Sequence, residues 1–296
     1  MNTRHPKAIF FAFLAAVLYA VNSPFSKLLL DKISPTMMAA FLYLGAGLGL
    51  FLLGLFGRLA GKKEKELPLT RRELPFTVGM VVLDIAAPIF LMLGLTKTTA
   101  ANASLLNNFE IVATSLIALI VFREAVSKRL WLAIVLVTLS SMILSFEDMS
   151  SLSFSWGSLF VLLACVCWGL ENNCTRMLSS KNPLEIVVIK GFGSGAGSLI
   201  LALAVGEGFP SVFCIVCALL LGFVAYGLSI YFYIYAQRDL GAAKTSTYYA
   251  VAPFIGTGLS LLIFREIPST AFIVALAIMI VGTYFASTDA KIETEH

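Results

Sequence analysis

Ten stretches of this chain are each apolar over about 20 residues, the length a helix needs to cross ~30 Å of hydrocarbon. They lie near 8–29, 36–57, 76–94, 100–122, 130–146, 155–178, 185–206, 212–235, 244–264 and 269–287, bounded by charge, glycine or proline. Backbone in lipid must satisfy its own hydrogen bonds, so such stretches fold as helices. With 59% hydrophobic and 13% charged residues among 296, the chain falls outside the range of soluble domains. The expected fold is all-α, integral to the lipid bilayer, with ten transmembrane helices. The first stretch contains FFAFLAAVLYA, which has the character of a secretory leader. It runs on past Ala20 through Asn22 and Pro24, however, and is read as a span.

Basic residues near membrane ends stay on the cytoplasmic side. With the amino terminus inside, fifteen Lys and Arg fall on inner segments against three, Lys32, Lys97 and Arg265, on outer loops. Both termini are expected in the cytoplasm, and the compact chain with basic inner loops fits a prokaryotic plasma (inner) membrane. The run GRLAGKKEKELPLTRRE between the second and third spans is read as this retention charge rather than as a lipid or partner contact.

LIALIVFRE closes at Glu124 and LSLLIFRE at Glu266, and the match extends upstream. Aligned at an offset of 142, residues 100–124 and 242–266 share seven of 25 positions: Ala100, Ala101, Ser104, Leu119, Phe122, Arg123 and Glu124 recur as Ala242, Ala243, Ser246, Leu261, Phe264, Arg265 and Glu266. YAVNSPFSK (19–27) likewise aligns with WGLENNCTR (168–176), and Gly45, Gly47 and Gly49 with Gly193, Gly195 and Gly197. The chain is a tandem repeat, 1–149 and 150–296. Five helices per copy is an odd number, so the second copy enters the membrane from the opposite side. Inverted repeats of this kind build a site between the halves near the midplane and rock one half against the other.

These features resemble the drug/metabolite transporter superfamily, EamA-like branch. They are two inverted five-helix halves, an aromatic and polar bend in helices 1 and 6, and helices 4 and 9 ending in apolar-Phe-x-Glu. The passage YYAVAPFIGTGLSLLIFRE is the most specific part. One departure is Ile111, where the family often has a proline after an acidic residue and the second half has Pro253. The resemblance implies a carrier of small metabolites, often an exporter of amino acids or related compounds.

Ionisable groups at mid-membrane cost about 2.5 to 3.5 kcal/mol each on the insertion scale, so each needs a partner, a wet cavity or a function. At ~1.5 Å of rise per residue, Asp84 and Glu110 lie near the midplane, while Glu171 and Lys190 share a depth about 7 to 8 Å to the inner side, which pairs them. Lys27 and Arg176 are close enough to helix ends to snorkel. Ser104, Asn107, Glu110 and Thr114 form one polar stripe, widened by Asn108, and Tyr226, Ser229, Tyr233 and Gln237 form another. With Tyr19, Asn22, Trp168, Asn172, Tyr248 and Tyr249 these faces are expected to line a central cavity for a small-molecule substrate, with Lys190 as a holder of a cargo carboxylate. Glu110, then Glu171 and Asp84, are the candidate proton-coupling groups.

Pro24 is expected to bend helix 1 beside Asn22. Glycines four apart, Gly45 with Gly49 and Gly193 with Gly197, mark close helix packing or a sliding surface. Catalysis, cofactors and metals find no support. The two histidines, His5 and His296, stand at the ends of the chain, and the five cysteines read as small apolar packing. No phosphate loop, accessory domain or nucleic-acid partner is indicated. The reading is a secondary active exporter working by alternating access, with proton coupling. An uncoupled facilitator or exchanger is the alternative, and a receptor or intramembrane enzyme a more remote one. Sequence leaves monomer and homodimer open.

Overall fold

The computed structural model describes residues 4–59, 67–122, 127–148, 153–178, 181–240, 245 and 248–292. In the first half, α1 (Arg4–Ala20) and α2 (Asn22–Leu29) make one span, followed by α3 (Pro35–Leu59) and α4 (Leu74–Lys97). The fourth span is α5 (Ala100–Leu106) with α6 (Phe109–Phe122), and the fifth is α7 (Lys128–Ser145). The second half begins with α8 (Trp156–Leu178) and α9 (Pro183–Ala204). Next, α10 (Val212–Gly222) passes through a π-helical turn, Phe223–Leu228, into α11 (Ser229–Leu240). The last two helices are α12 (Ala252–Phe264) and α13 (Thr270–Ile292). Among the described residues nine helices are long and apolar enough to cross a membrane, and α12 is a shorter apolar helix. A small antiparallel pair, β1 (Phe146–Asp148) with β2 (Ser153–Phe154), stands between the halves. The expected repeat boundary at 149/150, and the Arg123 and Glu124 copy of the repeated ending, lie outside the described residues.

Large apolar side chains face outward, as a lipid solvent demands. Phe10, Phe56, Ile120, Phe213 and Leu262 are all more than 60% exposed. Small and polar residues turn inward, because helix association in lipid rests on close packing and hydrogen bonds rather than on water exclusion. Ser140 of α7 donates to the Ala275 carbonyl of α13 at 2.6 Å, and Ser194 of α9 to the Val81 carbonyl of α4 at 3.1 Å.

The glycine triplets pack symmetrically. A β-carbon on Gly45 would lie 2.0 Å from the Leu219 carbonyl oxygen, and one on Gly49 would lie 1.9 Å from the Phe223 ring. Their counterparts Gly193 and Gly197 meet Val81 and Ile85 in the same way, at 3.0 and 2.2 Å. Leu219 pairs with Val81, and Phe223 with Ile85, at one constant sequence offset, so span 8 serves the first half as span 3 serves the second. The central glycines close the figure: Gly47 abuts the backbone of α9, and Gly195 abuts Leu44 of α3.

Among the described residues three spans are interrupted. The first breaks at Val21, where Pro24 offers no N–H to the carbonyl of Ala20. The fourth breaks at Asn107 and Asn108, and the ninth at 250 and 251, just ahead of Pro253 in the first turn of α12. The 142-residue offset carries Asn108 onto Ala250, so the repeat copies the break as well as the residues. The bend expected in helix 6 is absent. Lacking a proline, α8 runs unbroken from Trp156 to Leu178, and Asn173 turns its amide onto the Gly169 carbonyl at 2.8 Å, within its own helix.

Candidate functional site

The polar residues gather in three connected groups inside the bundle. The first is centred on Lys190 of α9. Its ammonium lies 3.0 Å from Asp84 Oδ2 on α4 and 3.0 Å from Glu171 Oε1 on α8. Tyr43 of α3 donates its hydroxyl to Asp84 Oδ1 at 2.9 Å, and Thr175 donates to Glu171. The cation ties α4, α8 and α9, and Tyr43 adds α3 through Asp84, so the group joins two helices from each half. Two carboxylates against one ammonium leave an excess negative charge when both are ionised, so the group can accept a proton or a second cation without breaking the pairing. The sequence expectation joined Lys190 to Glu171 alone; the structure adds Asp84.

The second group lies where α6 and α8 cross. Gly169 permits the approach, since a β-carbon there would sit 2.7 Å from Ala113 and 2.8 Å from the Thr114 nitrogen. Glu110, in the first turn of α6, accepts a 2.6 Å hydrogen bond from Asn172 Nδ2, which also reaches Thr114 Oγ1 at 3.4 Å. The break at Asn107 and Asn108 divides the predicted stripe. Glu110 and Thr114 turn to α8, whereas Ser104 and Asn107 turn to α12 and line a small cavity beside Gly256. Asn108 faces elsewhere, donating to the Leu105 carbonyl at 3.0 Å and accepting from Thr283 of α13 at 3.4 Å. Cys165 points its thiol at the Leu106 carbonyl, 3.6 Å away, and so helps cover the end of α5.

The third group is aromatic. Tyr226, in the π-helical turn, accepts from Asn22 Nδ2 at 3.0 Å, while Ser26 holds Asn22 Oδ1 at 3.1 Å. The Tyr226 ring lies 6.0 Å from Tyr19 and 5.0 Å from Tyr43, and Tyr19 continues to Tyr249 at 5.8 Å. Because the Tyr43 hydroxyl binds Asp84, this aromatic group is continuous with the charged one. Trp168 is buried in the adjoining core. Tyr248 packs against Phe13 of α1 at 5.2 Å rather than joining the other tyrosines. Ser229 binds the Ala15 carbonyl at 2.9 Å, Tyr233 stacks edge-on to Tyr249 at 5.1 Å, and the side chain of Gln237 lies outside the described set.

Two participants escaped the sequence reading. Tyr43 links the charged and aromatic groups, and its signal was a hydroxyl buried well inside an otherwise apolar span. Lys27 was expected to snorkel, yet its ammonium turns to the carbonyls of Leu95 and Thr98, the latter at 2.9 Å, closing the carboxyl end of α4. It borders an open pocket of about 580 Å³ that includes Asn102, Phe146, Glu266 and Phe272.

Residues 6–146 and 155–288 each match the model of the EamA-like transporter family. An uncharacterized transporter of Methanothermobacter thermautotrophicus is 25% identical over 304 aligned residues, covering 94% of this chain and 85% of that protein. A crystal structure of a protein 16% identical to this one has the same fold, with a TM-score of 0.66 over 97% of this chain and 98% of that one. The buried polar groups between two matched halves therefore sit in a multi-pass membrane transporter, and the chain belongs to the EamA-like transporter family.

Proposed function

We propose that this transporter is a secondary active exporter of small metabolites, such as amino acids or related compounds. The repeats 1–149 and 150–296 rock against each other in a plasma (inner) membrane with both termini cytoplasmic, and a proton enters as cargo leaves. The observation that carries the reading is the contact between Glu110 and Asn172 at 2.6 Å, a carboxylate at a helix break meeting the opposite half. A group at that junction changes its solvation as the halves move. A carboxyl alternately wetted and dried takes up and releases a proton, which is the property a coupled carrier needs. The neighbouring Lys190 group supplies a cation that a cargo carboxylate can compete for, displacing Asp84 or Glu171.

The test is a metabolite screen on reconstituted vesicles with an imposed pH gradient, comparing the wild type with Glu110→Gln. Cargo flux driven by the gradient is expected in the wild type, and flux indifferent to the gradient in the variant. Unchanged coupling in Glu110→Gln would remove Glu110 from the scheme. Flux that ignores the gradient in the wild type would make the protein a facilitator or exchanger.

A further inference from the structure

The interruptions of the first, fourth and ninth spans meet at one place. Between them lies a cavity of about 10 Å³, close to the room one water-sized particle takes, bordered by Tyr19, Ser23, Ser104, Asn107, Pro253 and Gly256. Oxygen atoms converge on it. A β-carbon built on Gly256 would be 3.0 Å from the Ala20 carbonyl oxygen and 3.1 Å from Ser104 Oγ, so both oxygens face a point that the glycine leaves empty. Asn107 Oδ1 and Ser104 Oγ are buried, their residues 6% and 2% exposed, and neither has a hydrogen-bond partner among the described residues. Buried acceptors without a donor cost free energy, so an occupant that satisfies them is favoured.

The wall also selects the occupant. It offers a backbone carbonyl at the carboxyl end of α1, where the helix dipole is negative, together with the amide oxygen of Asn107 and the hydroxyl of Ser104, and Tyr19 and Ser23 also line it. Among the described residues no Lys, Arg or His borders the cavity, which disfavours an anion. Neutral hard oxygens, partly from the backbone of a broken helix, are the ligand set of alkali cations in carriers built from inverted repeats.

We propose that this cavity is a sodium site, with the Ala20 carbonyl, Ser104 Oγ and Asn107 Oδ1 as ligands and Ser23 and Tyr19 completing the wall. Its size admits a dehydrated sodium ion and refuses a hydrated one. All the named ligands come from the first half, so an ion here braces the broken first and fourth spans against each other beneath Gly256 of α12, where the second half packs over the site. This goes beyond the proton-coupled reading, because sodium binding is measurable without transport and without Glu110 titrating.

The experiment uses the full chain, purified in detergent at constant ionic strength. Thermal unfolding is followed as sodium chloride replaces choline chloride, with potassium chloride in parallel, and equilibrium binding of radioactive sodium gives the stoichiometry. A saturable rise in melting temperature with sodium alone is expected, with one ion bound per chain. Asn107→Ala and Gly256→Ala, the first removing a ligand and the second filling the hole, should each weaken sodium binding by ~10-fold or more, the equivalent of losing one good contact. Ser104→Ala is the milder check if the glycine variant does not fold. An equal response to choline or potassium would mean that the cavity holds only water and would overturn the site. Sodium binding undiminished in Asn107→Ala and Ser104→Ala would place the ion elsewhere and overturn it too.

Discussion

Gly191 and Gly47 cross backbone to backbone: a β-carbon on Gly191 would lie 2.3 Å from the Gly47 nitrogen and 2.4 Å from its α-carbon. Nothing but hydrogen fits between α9 and α3 at that level, so the two helices meet there at backbone distance. Gly191→Val should therefore lower the melting temperature sharply, or abolish recovery of folded protein in detergent. Gly57→Ala is the control. Its β-carbon meets nothing within 4 Å, and alanine favours the helix by roughly 0.5–1 kcal/mol, so melting should be unchanged or slightly higher.

Lys190→Met strips the counter-charge from Asp84 and Glu171, both nearly inaccessible, and is expected to cost about 3–5 kcal/mol. Neutralising all three together, as Asp84→Asn, Glu171→Gln and Lys190→Met, should recover most of that loss while abolishing any response to cargo charge. Thermal melting of the single and triple variants separates the two effects. A single variant as stable as the wild type would mean that the ion pairs contribute nothing.

Lys27→Met releases the carbonyls of Leu95 and Thr98. Charged hydrogen bonds are worth about 1.5–3 kcal/mol, and Lys27 is half-buried, so the lower end applies. The loss should be local. Hydrogen exchange is expected to quicken at the Thr98 amide, which bonds to the Gly94 carbonyl at 2.9 Å, while α9 keeps its protection.

Tyr226→Phe keeps the ring among Tyr19 and Tyr43 and removes only the acceptor of the Asn22 bond. A stability loss of about 0.5–1.5 kcal/mol is expected. Tyr226→Ala should cost several times more, because the ring is buried between three elements. A flux assay with any identified cargo would show whether the hydroxyl also meets substrate: a raised KM with kcat unchanged in Tyr226→Phe marks direct contact.

The spans and their duplication were legible because both are written in one dimension, as apolar length and as recurrence at a fixed offset. Depth was legible too, since rise per residue converts position into height, and that set Glu171 level with Lys190. Azimuth was not. Asp84 lies at a different depth from Lys190, and the long lysine stem spans the difference. The interruptions at Asn107 and at 250 were hidden for another reason: propensity sees asparagine and tyrosine inside apolar runs as tolerable helix residues, and only packing against α8 and α1 decides where the hydrogen-bond ladder opens. Proline did betray the break in the first span, but the same residue inside α4, Pro88, leaves that helix continuous. Lys27 misled because a cation near a helix end has two outlets, water and the bare carbonyls of a neighbouring helix.

The π-helical turn at Phe223–Leu228 has a consequence for phase. A turn of this kind stores one residue more than an ordinary one, which offsets everything downstream by about 100° around the axis. Upstream, Gly222 presses on the Leu42 carbonyl of α3; downstream, Ser229 reaches Ala15 of α1. Deleting a single residue from the turn would leave the first contact in place and swing the second away, so one rod addresses two neighbours only because its winding slips between them.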